Sequence, residues 1–122
     1  MNELKLGLDL DGTISDAPGF FRKLSSIWPG EVHVITFRRD REKAISDLAG
    51  FGIRYHEVHL VSTFSEKSVV IKRLGIGVYF DDQPEMIQDI CPNTTVFLQR
   101  NEGNFDYEDR RFMLSDRTGK LV

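Results

Sequence analysis

The sequence of 122 residues lacks several features that mark particular classes of protein. Cys91 is its only cysteine, so an internal disulfide is excluded and a buried reduced thiol is expected. No apolar run reaches the roughly 18 residues of a membrane span, and the start MNELK lacks a signal peptide's long apolar region. The net charge of −3 comes from interspersed charges, which indicate no broad basic surface for nucleic acid. These absences favour a cytoplasmic protein without a membrane or nucleic-acid partner.

The apolar residues that are present lie in short runs. At 40% hydrophobic residues, 122 residues can bury one core, which predicts a single domain over residues 1–122. Runs rich in β-branched residues predict five strands, at residues 4–10, 32–36, 53–61, 78–80 and 95–99. Helix-like segments alternate with these strands. The pattern predicts an α/β, Rossmann-like, three-layer domain with a parallel sheet and helices on both faces.

Four helices are predicted between the strands. The first is expected to end at the Pro-Gly pair of residues 29–30. Asp40 is expected to cap the second helix, which would end near Gly50, and Ser65 to cap the third. Pro84 suits the first turn of a short fourth helix.

Two aspartates end the first predicted strand in the stretch LDLDGT. The alternation of side chains along a strand places Asp9 and Asp11 on the same face. Gly12 then allows a sharp bend, which can turn backbone amides toward an anion. Taken alone, the stretch is also compatible with an ordinary Asp-Gly turn after a strand.

Other strand ends carry polar groups as well. Thr36 ends the second predicted strand, and Asp81 and Asp82 end the fourth. Lys67 lies in the first turn of the helix before the fourth strand. Carboxylates that meet at one edge of a sheet repel one another unless a cation lies among them. Because carboxylate oxygens and water suit magnesium, the sequence predicts Mg²⁺ beside Lys67.

These segments, taken in order as DLDGT, VIT, Lys67 and FDD, resemble the four motifs of the haloacid dehalogenase superfamily. Its commonest members are magnesium-dependent phosphohydrolases, and DDQPE looks most similar to the nucleotidase-like members. The resemblance implies that Asp9 is a nucleophile that forms an aspartyl-phosphate and that Asp11 is the general acid and base. It also implies that Thr36 and Lys67 hold the transferring phosphoryl oxygens.

The resemblance further implies a metal site. Asp9 and Asp82 would bind Mg²⁺ directly, Asp11 through its backbone carbonyl, and Asp81 would support them. If Asp9 and Asp82 share one ion, the first and fourth strands must be neighbours, which predicts the order 5-4-1-2-3.

Several candidates compete with this assignment. Lys72 is a rival for the phosphate lysine, but it lies about a turn and a half beyond Lys67 on the same helix. Arg38 follows the second motif and either contacts phosphate or begins a solvated helix. His56 and His59 have an H-x-x-H spacing, but on a strand their rings point to opposite faces, so no zinc site is expected.

Two other classes of protein remain as alternatives. A response-regulator receiver also groups aspartates, a hydroxyl and a lysine around magnesium, but its lysine comes last, whereas Lys67 precedes Asp81 and Asp82. A non-catalytic, phosphate-binding or regulatory relative could keep the same pocket.

The spacing between motifs leaves no room for a cap domain. Residues 12–35 and 37–66 are each filled by one helix and one strand. An uncapped pocket predicts a phosphomonoester hydrolase that discriminates weakly among phosphorylated substrates, nucleotides or phosphates on macromolecules. The open pocket suits a phosphate that protrudes from a large molecule; alternatively, a second copy in a homo-oligomer, or the polar loop or hairpin from Asn101 onward, covers it.

Overall fold

A computed structural model describes residues 3–83, 85 and 92–101 of the chain. Within them, five strands form one parallel sheet: β1 (Lys5–Leu8), β2 (Val32–Thr36), β3 (Glu57–Leu60), β4 (Ile76–Asp81) and β5 (Thr95–Leu98). The strand order is β3-β2-β1-β4-β5. This is the predicted order read from the opposite edge, so the predicted α/β Rossmann-like sheet is confirmed.

The strand bounds differ from the predicted ones where pairing partners begin and end. β1 stops at Leu8, because the chain leaves the sheet at Asp9 and Leu10 begins a turn. The predicted third strand began at residue 53, but β3 pairs Glu57 with His33. His56 therefore lies level with Val32, the first residue of β2, and residues 53–55 precede the start of that strand. β4 is longer than predicted, because β1 pairs with it from Ile76 onward.

Three α-helices connect the strands: α1 (Pro18–Ile27), α2 (Arg41–Phe51) and α3 (Phe64–Leu74). The Asp40 side chain caps α2 as predicted and accepts a hydrogen bond from the Lys43 amide at 3.0 Å. Gly50 does not end this helix. Gly52 does, because it adopts the left-handed conformation with φ 74°. The predicted cap Ser65 is also wrong, because Thr63 is the N-cap of α3 and its hydroxyl accepts a hydrogen bond from the Glu66 amide at 3.0 Å.

The helices lie on both faces of the sheet. The core that includes α1 and α2 contains these buried residues: Leu6, Leu8, Leu10, Ile14, Phe21, Val32, Val34, Ala44, Leu48, Ile53 and Val58. The core that includes α3 contains Ile35, Val61, Val70, Ile71, Ile76 and Tyr79. Alternation along β2 sends Val34 to the first core and Ile35 to the second, as expected for a strand buried on both sides.

The chain between the sheet strands carries no inserted domain from residue 9 to residue 81, all of which are described. A turn and α1 connect β1 to β2, α2 connects β2 to β3, and α3 connects β3 to β4. The absence of a cap domain at both predicted insertion points is therefore confirmed. The carboxyl edge of the sheet is left without a covering domain from this part of the chain.

Three predictions fall outside the described residues. They are the helix opened by Pro84, the environment of Cys91, and the segment after Asn101. Among the described residues, none of the helices is long and apolar enough to cross a membrane.

Candidate functional site

Three carboxylates meet at the carboxyl edge of the sheet. Candidate ligand oxygens of Asp9, Asp81 and Asp82 lie within 4.8 Å of one another, and we call these three residues the acidic cluster. Asp9 directly follows β1, whereas Asp81 ends β4 and Asp82 follows it. The two strands are neighbours, and the Asp9 amide donates a hydrogen bond to the Phe80 carbonyl at 3.0 Å. The predicted convergence of the first and fourth strand ends is thus present.

Lys67 enters the acidic cluster from α3. Its side chain is fully buried, and Nζ lies 2.8 Å from Asp9 Oδ1 and 2.8 Å from Asp81 Oδ2. The Phe37 ring lies beside the ammonium, with its centroid 4.6 Å from Nζ. Lys67 therefore occupies the predicted position next to the carboxylates, and Lys72 is not the lysine that contacts them.

Asp81 is held on both oxygens. Oδ2 accepts hydrogen bonds from Lys67 Nζ and, at 2.6 Å, from the Tyr79 hydroxyl. Oδ1 accepts a hydrogen bond from the Gln83 amide at 2.9 Å. These contacts fix the carboxylate that in turn fixes Lys67, in keeping with the supporting role predicted for Asp81.

Asp9 is the most electrostatically perturbed acid of the site. It is 4% exposed, and Oδ2 accepts a hydrogen bond from the Thr13 hydroxyl at 2.9 Å. Burial raises the pKa of Asp9 to about 8; the charge of Lys67 opposes this shift, and the charge of Asp81 adds to it. Burial alone would lower the pKa of Lys67, but its attraction to Asp9 and Asp81 raises it. In the absence of other cations, Lys67 is thus charged and Asp9 favours its protonated form.

The charges of the site suit a divalent cation. When all three carboxylates are ionised, the single ammonium leaves an excess of two negative charges in a buried space. Carboxylate oxygens are the ligands that Mg²⁺ prefers, and Asp9 and Asp82 come from adjacent strand ends. The donor set of the acidic cluster therefore fits the predicted ion.

The turn after Asp9 needs a glycine. Over Leu10–Ile14 the chain winds so that the Ser15 amide donates to the Leu10 carbonyl at 3.0 Å, and Gly12 takes a φ of 85°. A Cβ at Gly12 would also overlap Asp82 Oδ2. The Gly12 amide itself donates to Ser15 Oγ at 2.9 Å, so it is engaged inside the turn. Phosphate binding by Gly12 stays a prediction.

The turn directs Asp11 away from the acidic cluster and toward Arg38. Arg38 Nε and one terminal nitrogen donate to the two Asp11 oxygens at 2.9 and 2.8 Å, and its other terminal nitrogen contacts Asp47. The Asp11 side chain is 59% exposed. Arg38 precedes α2 instead of beginning it. It therefore does not begin a solvated helix, and its predicted contact with phosphate or substrate stays a prediction.

Thr36 lies where it was predicted, at the carboxyl end of β2. It is buried, and its hydroxyl oxygen accepts a hydrogen bond from the Arg38 amide at 3.2 Å. This contact leaves the hydroxyl proton as the donor that Thr36 can offer to an anion.

Sequence reasoning missed four residues that shape the site: Thr13, Tyr79, Gln99 and Asn101. Gln99 Nε2 donates to the Thr13 carbonyl at 3.1 Å, and Asn101 Nδ2 donates to the Gly12 carbonyl at 2.7 Å and to Asp82 Oδ2 at 3.2 Å. Because β5 is parallel to the other strands, the residues after its carboxyl end belong to the same edge, which is a signal that the sequence offered. Tyr79 gave no such signal, since it lies in the apolar run of β4.

The chain matches no protein-family model, and its comparison with curated proteins gives no significant match. The resemblance to the haloacid dehalogenase superfamily therefore depends on the motif residues described above.

Proposed function

We propose that this protein is a magnesium-dependent phosphomonoester hydrolase of the haloacid dehalogenase type. The observation that carries the proposal is the position of Asp9, a buried carboxylate that contacts Lys67 and lies among the acidic cluster at the carboxyl edge of the sheet. Attack on phosphorus needs a carboxylate held in one orientation, beside cationic groups that offset the charge of the phosphate.

In the first half of the proposed reaction, a carboxylate oxygen of Asp9 attacks phosphorus in line with the leaving oxygen. The bond from Asp9 to phosphorus forms as the bond to the leaving oxygen breaks, and Asp11 gives that oxygen a proton. Thr13 and Lys67 hold the Asp9 carboxylate in place for this attack. Mg²⁺ held by Asp9, Asp82 and the Asp11 backbone carbonyl would supply charge neutralisation for the phosphoryl group.

In the second half, Asp11 takes a proton from water, and the water oxygen attacks the phosphorus of the aspartyl-phosphate. The bond to Asp9 breaks, which releases inorganic phosphate, returns Asp9 to a carboxylate and leaves Asp11 protonated for the next cycle. Lys67 supports both halves, because its ammonium has three donors and only two contact Asp9 and Asp81. The third donor and the Thr36 hydroxyl are the proposed contacts for phosphoryl oxygens.

Asp11 must leave its ion pair with Arg38 and take up a proton from solvent before it acts as the acid at the leaving oxygen. We therefore propose that substrate binding exchanges partners at this point, so that Arg38 contacts the phosphate while Asp11 turns toward the leaving group. The ion pair is well placed for such an exchange, because more than half of the Asp11 side chain is exposed.

The proposed substrates are phosphomonoesters with little selectivity for the rest of the molecule, including nucleotides and phosphates on macromolecules. No domain inserted between residues 9 and 81 covers the site, so few side chains in the described part of the chain reach beyond the phosphate.

The test is turnover of an aryl phosphate by the full chain, with Mg²⁺ and with a chelator. Asp9→Asn keeps the size of the side chain but removes the attacking charge, so activity is expected to fall at least about a thousandfold. Asp40→Asn is the matched control, since asparagine caps a helix as well as aspartate does. Circular dichroism checks that both variants fold.

Activity of the folded Asp9→Asn protein at more than a few per cent of the parent rate would contradict the mechanism. A parent protein that binds inorganic phosphate in the presence of Mg²⁺, but releases none from the ester, would favour the non-catalytic alternative.

A further inference from the structure

The three histidines of the chain lie around neighbouring strands, away from the acidic cluster. His56 precedes β3; its Nδ1 accepts a hydrogen bond from the Val32 amide at 3.1 Å, and its ring stacks beside His33 with 6.3 Å between the centroids. His59 contacts His33 more closely, with 3.0 Å between His59 Nε2 and His33 Nδ1. The prediction that the His56 and His59 rings point to opposite faces is therefore wrong, because His56 lies before the strand and both rings lie beside His33.

We propose that His33, His59 and Glu57 bind a divalent transition-metal ion of the zinc type. The three side chains, which we call the histidine cluster, place candidate ligand atoms within 4.8 Å of one another. Imidazole nitrogens with one carboxylate suit zinc and disfavour magnesium, which prefers oxygen ligands. This site goes beyond the proposed hydrolase function and shares no residue with it.

The register of the sheet builds the histidine cluster. β2 and β3 are parallel with His33 opposite Glu57, and His59 follows two residues later on the same face of β3. Glu57 thus lies opposite His33 on the neighbouring strand, and His59 lies diagonally from it, opposite Ile35. A one-residue slip in the register would turn both away from it.

The distances are close to those of a tetrahedral zinc site. Two zinc–nitrogen bonds of about 2.0–2.1 Å at a tetrahedral angle separate the nitrogens by about 3.3 Å, compared with the 3.0 Å between His33 and His59. His59 Nε2 and Glu57 Oε2 are 3.7 Å apart, and the same geometry needs about 3.4 Å. Binding therefore requires movements of only a few tenths of an ångström, together with a shift of the His59 ring proton from Nε2 to Nδ1, which frees the Nε2 lone pair for the ion.

Glu31 prepares His33 for this role. Its Oε1 lies 2.8 Å from His33 Nε2, and a carboxylate there holds the ring proton on Nε2 and leaves the Nδ1 lone pair toward His59. Carboxylates commonly orient metal-binding histidines in this way and increase their basicity. His33 is 4% exposed, whereas Glu57 is exposed, so an ion can enter from the Glu57 side.

A bound ion would join β3 to β2. β3 lies at the end of the sheet formed by the described strands, where one side of its backbone has no strand partner among them. Because zinc would bind the folded protein and not the separated strands, it is expected to raise the melting temperature progressively as the free Zn²⁺ concentration exceeds the dissociation constant.

The test is calorimetric titration of Zn²⁺ into the full-length Asp9→Asn protein, which weakens the acidic cluster as a competing site. One equivalent is expected to bind, and excess Mg²⁺ is expected not to displace it. His59→Gln in this background should lower the affinity by at least about tenfold, and Glu31→Gln should lower it by about tenfold. His56→Gln is the matched control and should leave the affinity unchanged.

Two further measurements locate the bound ion and its effect on the fold. They are nitrogen-15 NMR of the histidine rings and the melting temperature. Zn²⁺ should change the nitrogen-15 chemical shifts of His33 Nδ1 and His59 Nε2. It should also raise the melting temperature of the Asp9→Asn protein, but not that of the same protein with His59→Gln added. Should His59→Gln unfold, the exposed Glu57→Gln replaces it and should also weaken binding.

Three results would overturn the proposal. They are equal Zn²⁺ affinity in the folded His59→Gln or Glu57→Gln protein and its parent, equal losses in His56→Gln and His59→Gln, and binding no tighter than about millimolar. None of these measurements uses phosphatase activity, so they are independent of the proposed hydrolase function.

Discussion

The acidic cluster and the histidine cluster group titratable side chains from neighbouring strands, but they differ in burial. Asp9, Asp81 and Asp82 are at most 8% exposed and surround a fully buried lysine. The histidine cluster opens to solvent through Glu57, whose side chain is 62% exposed. Negative charge in the first is thus offset only in part, by one internal cation, whereas solvent screens charge in the second. The comparison indicates that the acidic cluster has the larger electrostatic effect on folding.

Removing the internal cation tests that difference most strongly. Lys67→Met keeps the length of the side chain but leaves Asp9 and Asp81 buried without their partner. We expect the free energy of unfolding to fall by about 3–5 kcal/mol, as measured by urea denaturation. His59→Gln is expected to cost only about 1 kcal/mol, because it removes one neutral hydrogen bond at a partly exposed site.

Equal losses of unfolding free energy in Lys67→Met and His59→Gln would contradict the expected difference between the clusters. Burial would then not determine how much each cluster contributes to stability. The measurement is made with a chelator present, so that metal binding contributes to neither cluster.

The two clusters also differ in how far the sequence revealed them. The acidic cluster was predictable, because Asp9, Thr36 and Asp81 each end an apolar run and parallel strands bring their carboxyl ends to one edge. Lys67 could be chosen over Lys72 by its place in the first turn of the helix. The histidine cluster was not predictable, since it depends on which residue of β3 lies opposite His33.

The fold was predictable at the level of order and direction, but not of bounds. The alternation of strands and helices, together with a shared site for Asp9 and Asp82, required β1 beside β4. Helix ends were missed where two candidates were close in sequence. Thr63 and Ser65 both suit an N-cap, and Gly50 and Gly52 both suit a C-terminal end. The choice depends on how the helix enters and leaves its packing against the sheet.

The free energy of unfolding should change with pH in opposite directions for Asp9 of the acidic cluster and His59 of the histidine cluster. With a chelator present, the pKa of Asp9 is about 8 in the folded protein and 3.8 without the fold. Between these values the folded state binds more protons than the unfolded state, so the free energy of unfolding falls as pH rises. The slope is at most about 1.4 kcal/mol per pH unit for one proton. The pKa of Lys67 is raised above 10.5, so its contribution stays constant across this window.

His59 acts in the opposite direction. Burial lowers the pKa of His59 below 6.5, so the unfolded state binds more protons just below that pH, and stability rises as pH increases through the window. Urea denaturation from pH 5 to pH 8 should therefore show a steeper fall in the His59→Gln protein than in the parent. Asp9→Asn should remove the fall. A fall that persists in Asp9→Asn would assign it to another group.

Two glycines test how tightly the turn after Asp9 packs against the acidic cluster. Gly12 and Gly75 both have positive φ, 85° and 72°, but a Cβ at Gly12 would overlap Asp82, whereas a Cβ at Gly75 has no atom within 4 Å. Gly75→Ala is expected to cost about 1 kcal/mol of unfolding free energy for the left-handed conformation alone. Gly12→Ala is expected to cost about 1–2 kcal/mol more.

Displacement of Asp82 should also raise the Mg²⁺ concentration that gives half-maximal turnover in Gly12→Ala but not in Gly75→Ala. Identical unfolding energies and Mg²⁺ requirements in the two variants would show that the acidic cluster tolerates a side chain at this turn.

Substitution of Arg38 is expected to change stability least. Its ion pair with Asp11 borders the acidic cluster, but, like the histidine cluster, it is open to solvent, which screens the charges. Arg38→Gln should alter the free energy of unfolding by less than about 1 kcal/mol. Lys43→Gln is the matched control, since Lys43 also contacts Asp47, at 3.1 Å, but has no contact with Asp11. If Arg38 exchanges Asp11 for phosphate, kcat/KM for an aryl phosphate should fall about ten- to a hundredfold in Arg38→Gln and stay unchanged in Lys43→Gln. A rise in kcat/KM would instead show that the ion pair only restrains Asp11, and that phosphate binding is complete without Arg38.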